Sequence, residues 1–147
     1  MTQGRKPHRL RPFPLSCMIL IPSRVAPSGI HGNGLFAVDD VAAGTPIWRH
    51  QQGFDQVLDS NWVESLPEPA RRHVHWFAFL DPADQCWHLS GDHACFMNHS
   101  EAPTTGRPSD QVGPVVTVAL RDIRAGEELT CDYRAFDRAA LEKLGST

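Results

Sequence analysis

A mainly β domain, built from several small sheets with little helix, is the fold the sequence predicts. Short apolar runs rich in β-branched residues recur along the chain, Gly and Pro turn signals separate them, and no internal repeat relates them. A length of 147 residues sets one domain with one sizeable core. With 41% hydrophobic and 21% charged residues, the chain is neither disordered nor collagenous.

Residues 1–14 hold Pro7, Pro12 and Pro14 among Arg5, Lys6, Arg9 and Arg11, and read as a flexible basic arm. Met18–Ile21 is the first strand. Pro27-Ser28-Gly29 and Gly32-Asn33-Gly34 are turns, and Leu35–Val38 resumes a strand. Asp39-Asp40 and Ala43-Gly44 frame the next turn before a strand over Pro46–Trp48. Val57, Leu58, Trp62 and Leu66 fall near helical spacing, which predicts one or two short helices before Pro67. The run Val74–Leu80 carries Trp76, Phe77 and Phe79 and stops at Asp81-Pro82. Cys86–Leu89 and Ala94–Met97, around Ser90-Gly91-Asp92, predict a hairpin. Residues 101–114 read as a loop, Val115–Leu120 and Glu128–Tyr133 as strands, and Phe136–Leu144 as a helix with Phe136, Ala140, Leu141 and Leu144 near one apolar face.

Charge is unevenly placed. Arg5, Lys6, Arg9, Arg11 and Arg24 give the first 24 residues +5 with no acid, which leaves −8 for residues 25–147 out of the net −3. A generally basic nucleic-acid binder is disfavoured, although contact through the basic head stays open. The acidic body suits a basic peptide or tail, or plain solubility. Leu15–Ile21 imitates a signal sequence, but it is short and runs into Pro22-Ser23-Arg24. With no apolar run near membrane-spanning length, the sequence predicts an intracellular protein with neither secretion signal nor transmembrane segment. Cys17, Cys86, Cys95 and Cys131 permit disulfides without implying them.

Several clusters bear chemistry. Two close glycines in Gly32-Asn33-Gly34 allow a tight turn and a ligand's approach to backbone amides. Phe96-Met97 runs straight into Asn98-His99-Ser100 at a strand end. Cys86-x-His88 and His93-x-Cys95 form a mirrored set whose sulfurs and imidazoles would suit structural zinc, at unusual spacing. Trp48, Trp62, Trp76 and Trp87 read mostly as core anchors, with one free to line a cation-holding pocket. His73 and His75 precede the aromatic run, with no nucleophile pairing readable. Tyr133, the sole tyrosine, follows Gly126–Asp132, and its hydroxyl could orient a nucleophile.

Taken in order, these clusters resemble the motifs of SET-domain protein-lysine methyltransferases. Gly32–Ala37 is similar to the family's opening Gly-x-Gly-Leu-Phe-Ala. Phe96–Ser100 with Pro103 resembles the middle Asn-His-Ser motif, and Gly126–Tyr133 the closing Gly-Glu-Glu-Leu-Thr-x-Asp-Tyr. The resemblance implies a β-clip-like fold of small sheets, with the chain after the closing strand threading close to Asn98–Ser100 in a pseudoknot-like arrangement. It implies a SET domain over residues 15–133 with a variable insert at about 51–89, then a short C-terminal helix in residues 134–147 and no cysteine-rich region after the domain.

By position, the resemblance gives S-adenosylmethionine as cofactor and a lysine-containing protein or peptide as partner, with a basic one favoured by charge. Gly32, Asn33, Gly34, Leu35, Asn98 and His99 would bind the cofactor. Tyr133 would be catalytic, and Cys131, Tyr133 and Phe96 would line the substrate channel, with no metal. The chain departs from the family pattern at Asp92, Cys95, Glu101, Thr104 and Cys131. At Cys131 relatives commonly carry Phe or Tyr, a choice that bears on how many methyls fit. Two other readings are a SET-like binding module with little or no turnover, and a zinc-stabilised structural protein using Cys86, His88, His93 and Cys95.

Overall fold

The structure, a computed structural model, describes residues 18–108, 110 and 116–145. The expected basic arm lies outside the described residues, as does Val115. Among the described residues, eleven short strands form three small sheets. In the first, β1 (Met18–Ile19), β4 (Pro46–Arg49), β10 (Val116–Ala119) and β9 (Thr105–Gly106) follow in that order. The second runs β2 (Ser23–Pro27), β3 (Asn33–Ala37), β11 (Glu128–Cys131) and β8 (Asn98–His99). The third runs β5 (Gln56–Leu58), β7 (Trp87–Leu89) and β6 (Phe79–Leu80).

The second sheet brings the three motifs together. Strand β11 pairs antiparallel with β3, Leu129 opposite Leu35, and parallel with β8, Thr130 beside Asn98 and Cys131 beside His99. The hairpin from β2 to β3 turns over Ser28–Gly32. The Ser28 hydroxyl accepts the Ile30 N–H at 2.9 Å, and Gly32 takes φ of +48°, which glycine adopts without a Cβ clash. The predicted Gly32–Gly34 turn therefore splits: Gly32 ends the turn, and Asn33 and Gly34 already belong to β3.

The insert forms two helices and the third sheet. Helix α1 (Ser60–Glu64) is capped by Asp59, whose carboxylate accepts the Trp62 N–H at 2.9 Å. Helix α2 (Glu68–Phe77) begins after Pro67 and carries Pro69 in its first turn, where a missing N–H costs no helical bond. It absorbs the first half of the aromatic run. The predicted hairpin around Ser90-Gly91-Asp92 does not form. Trp87–Leu89 pairs with β5 and β6, while His93–Phe96 is a 3₁₀ turn. Asp92 explains this, because its carboxylate caps the turn through Ala94 N–H at 2.9 Å and also holds Ile19 N–H of β1 at 2.7 Å.

Residues 101–114, predicted as loop, contain β9. The closing strand stops at Cys131, so Tyr133 lies on a 3₁₀ turn, Tyr133–Ala135. The C-terminal helix, α3 (Ala140–Gly145), starts later than the apolar pattern predicted, and Leu141 is 76% exposed. Phe136 instead packs edge-on against Phe79 at 5.2 Å.

One core gathers Leu35, Ile47, Ile123, Leu129 and Cys131 beneath the motif strands. A second joins Val63, Val74, Ala78 and Trp87 of the insert to Ala139. Trp48 and Trp87 are buried anchors; Trp62 and Trp76 are about half exposed, against expectation.

Candidate active site

Three chain segments meet around the Glu128 carboxylate. It accepts the Ser28 hydroxyl, 2.9 Å from each oxygen, and the Asn98 amide N–H at 2.8 Å. The same Asn98 nitrogen reaches the carbonyls of His31 at 3.1 Å and Asn33 at 3.2 Å. Asn98 thus ties the glycine loop to the closing strand. Gly34 makes room for this: a Cβ there would stand 2.2 Å from Glu128 Oε1. Leu35, next along β3, is wholly buried in the core.

The neighbouring pair fixes Tyr133. The Tyr133 N–H donates to His99 Nδ1 at 3.2 Å, and Asp132 Oδ1 lies 3.6 Å from that nitrogen. The phenol donates to the Met97 carbonyl at 2.7 Å. Burial, and then the neighbouring Cys131 and Asp137, push its ionisation well above the usual tyrosine range. The Cys131 thiol is pushed up to about 12, mainly by burial.

Tyr133 stands in a wall shared by two cavities. The smaller, about 340 Å³, is lined by Gly32, Asn33, Phe96, Asn98 and His99. The larger, about 380 Å³, is lined by Met97, Thr105, Cys131 and Phe136. Trp76, Phe77, Cys95 and Lys143 join Tyr133 in both. Phe96, expected in the substrate channel, borders the smaller cavity, and its ring meets Phe77 edge-on at 5.8 Å. Gly34 and Leu35 line neither.

The C-terminal segment closes this wall. Lys143 Nζ lies 2.5 Å from both Asp137 Oδ2 and the Ala78 carbonyl. It stands 5.8 Å from the Trp87 ring centre and 5.9 Å from that of Tyr133. Asp137 Oδ1 accepts Leu80 N–H at 3.0 Å and Ala139 N–H at 2.9 Å. No local pattern marks Lys143 or Asp137, because their roles arise from long-range packing. Glu128 lay inside a recognised motif, and Trp76 inside the aromatic run.

The departures from the motif pattern have structural work. Asp92 caps the turn at His93. The Thr104 hydroxyl accepts Thr130 N–H at 2.9 Å, and Thr130 Oγ1 accepts Thr104 N–H at 3.1 Å, a reciprocal clip on β11. Glu101 pairs with Arg134 at 2.9 Å on the surface. Burial and the nearby Asp92 push the Cys95 thiol up. Cys86, His88, His93 and Cys95 do not assemble into a metal-holding group; among the described residues no such cluster of three or more His, Cys, Asp or Glu occurs. His88 instead meets Asp84 at 2.9 Å. No helix among the described residues is long and apolar enough to cross a membrane.

The model of the SET domain family matches residues 32–134. No curated protein sequence matches the chain. Among solved structures, a humanized mutant of Polycomb Repressive Complex 2 from Chaetomium thermophilum, bound to an inhibitor, is similar at 20% identity and a TM-score of 0.60. That likeness covers 83% of this chain but 16% of the neighbour's. A Plasmodium falciparum protein described as a candidate histone methyltransferase is similar at 16% identity and a TM-score of 0.52, covering 77% of this chain and 93% of the other. At these identities the likeness is one of fold.

Proposed function

The chain belongs to the SET-domain family, and from that premise we propose that it transfers methyl from S-adenosylmethionine to the side-chain amine of a protein lysine. Members of this family are typically protein-lysine methyltransferases. One observation carries the reading: Tyr133 stands between a cavity bordered by Gly32, Asn33, Asn98 and His99 and another bordered by Cys131.

The residues present fit a nucleoside sulfonium. A cavity of about 340 Å³ lies in the range of roughly 300–1,000 Å³ that small ligands occupy. Backbone at Gly32–Asn33 and at Asn98–His99 offers polar contacts, and the rings of Trp76, Phe77 and Tyr133 offer faces to a purine and a cation. When bound, the cofactor supplies an electrophilic methyl on a positively charged sulfur.

The chain's own residues must then deliver a neutral amine. Presenting a free lysine amine at pH 7 costs about 4.6 kcal/mol from its ordinary pKa near 10.4. The aromatic walls of the larger cavity strip water from the amine and so favour its uncharged form. Because the Tyr133 hydroxyl donates to Met97, its oxygen lone pairs are left to accept an amine N–H and aim the nitrogen. Its raised ionisation makes Tyr133 a positioning phenol and a poor proton acceptor. The proton leaves through water at the open end of the cavity.

The −8 of residues 25–147 supports a basic partner, a histone-like tail or another lysine-rich segment. Incubation with methyl-labelled S-adenosylmethionine and a lysine peptide array, read by mass spectrometry, tests the proposal. Labelled lysine is the expected result. Cofactor binding without transfer would leave a binding module instead.

A further inference from the structure

Trp76, in the last turn of helix α2, lies outside all three motifs, yet lines the smaller cavity together with the glycine loop. It is 51% exposed, a large apolar surface left in water at the rim of a ligand-sized cavity. Its ring meets His31 at a centroid distance of 5.4 Å and a tilt of 52°. His31 is itself held on the glycine loop, because its carbonyl accepts from Asn98. Ile30 beside it is 52% exposed and borders the same cavity. An apolar, aromatic rim thus spans from the insert to the glycine loop.

The other rings of this cavity already pack against further rings. Phe77 meets Phe96 edge-on, and Tyr133 lies against His99 at 5.5 Å and Phe136 at 6.2 Å. Trp76 has its single ring contact with His31 among the described residues, and half its side chain faces solvent. A flat heteroaromatic ring would bury that surface by stacking, whereas a compact sulfonium needs no such extended face.

We propose that Trp76, backed by His31, is a cofactor-binding residue that stacks on the purine of the nucleoside cofactor. The insert then contributes a side chain to cofactor binding. This inference rests on the methyltransferase reading of the same cavity.

Titration calorimetry with S-adenosylhomocysteine tests it on the full chain, with wild type, Trp76→Ala and Trp76→Phe. Stacking on a base carries enough energy that Trp76→Ala weakens binding at least about fivefold, while Trp76→Phe, which keeps a ring face, stays within about threefold. Adenosine alone quenches indole emission in wild type and does so less in Trp76→Phe. S-methylmethionine, a sulfonium without a purine, binds wild type and Trp76→Ala alike. Undiminished S-adenosylhomocysteine binding by a folded Trp76→Ala would overturn the assignment of Trp76 alone. Absence of binding to wild type would overturn the methyltransferase reading and this assignment with it.

Discussion

The Tyr133 hydroxyl donates to the Met97 carbonyl at 2.7 Å, linking the end of the closing motif to the residue just before Asn98-His99. Burial raises the phenol's ionisation, so it keeps its proton throughout the range in which a lysine amine begins to lose its own. Methyl transfer should therefore rise with pH between about 7 and 9 as the free amine accumulates. It should show no falling limb from phenol ionisation below pH 10. A pH series of kcat/KM on a lysine peptide checks this, and a falling limb that vanishes in Tyr133→Phe would refute the positioning role.

Gly34 and Glu128 are coupled by contact. In Gly34→Ala the new methyl, 2.2 Å from Glu128 Oε1, must displace the carboxylate from Ser28 and Asn98. Losing hydrogen bonds to a charged group costs about 1.5–3 kcal/mol. Both Gly34→Ala and Glu128→Ala should lower the affinity for S-adenosylhomocysteine about tenfold by loosening the loop. The double variant should be little worse than Glu128→Ala alone, since the clash is gone. Calorimetry on the four proteins measures the coupling, and additive losses would contradict it.

Lys143 and Asp137 are buried together, with side chains 13% and 2% exposed. Removing one partner of such a pair leaves the other charged and desolvated, which costs about 3–5 kcal/mol. Lys143→Met and Asp137→Leu should each lower the urea midpoint strongly. Their combination should recover much of the loss, because an apolar pair needs no compensation. If the double variant is as unstable as the sum of the singles, the clasp is not the source of the effect.

Cys131 gives the alkaline behaviour a sign. Its thiol ionises at about 12 when folded and near 8.5 in an unfolded chain. The raised folded value means its contribution is complete below about pH 8.5 and is lost as pH rises towards 12, at up to about 1.4 kcal/mol per unit. Tyr133 adds a loss of the same sign above pH 10. Urea midpoints measured from pH 7 to 10 should fall, and fall less steeply in Cys131→Ala. Parallel slopes would argue against a buried thiol.

What the sequence made legible was local. The strands at Leu35, Pro46 and Val116 carried their own apolar runs, and the three motifs lay in linear order at β3, β8 and β11. The strand Ser23–Pro27 has no clear local signal, because Pro22 precedes it, Pro27 ends it and its pairing is with β3. The predicted hairpin at Gly91 gives way because Asp92 uses its carboxylate to cap the next turn and to hold Ile19 N–H. The C-terminal helix is shorter than its apolar pattern predicts, because Phe136 is apolar for its packing on Phe79. The site divided the same way. Tyr133, Asn98 and His99 could be read from motifs, whereas Trp76 and Lys143 reach the cavities through tertiary packing that no spacing encodes.

The most direct measurement compares wild type with Tyr133→Phe for label transfer from methyl-labelled S-adenosylmethionine to a lysine peptide, alongside each protein's affinity for S-adenosylhomocysteine. Wild type should transfer label, the variant should lose about 10²-fold or more, and cofactor affinity should stay nearly unchanged, since the lost hydrogen bond is worth only about 1 kcal/mol to the fold. Equal transfer by both proteins, or none by a wild type that binds the cofactor, would contradict this reading.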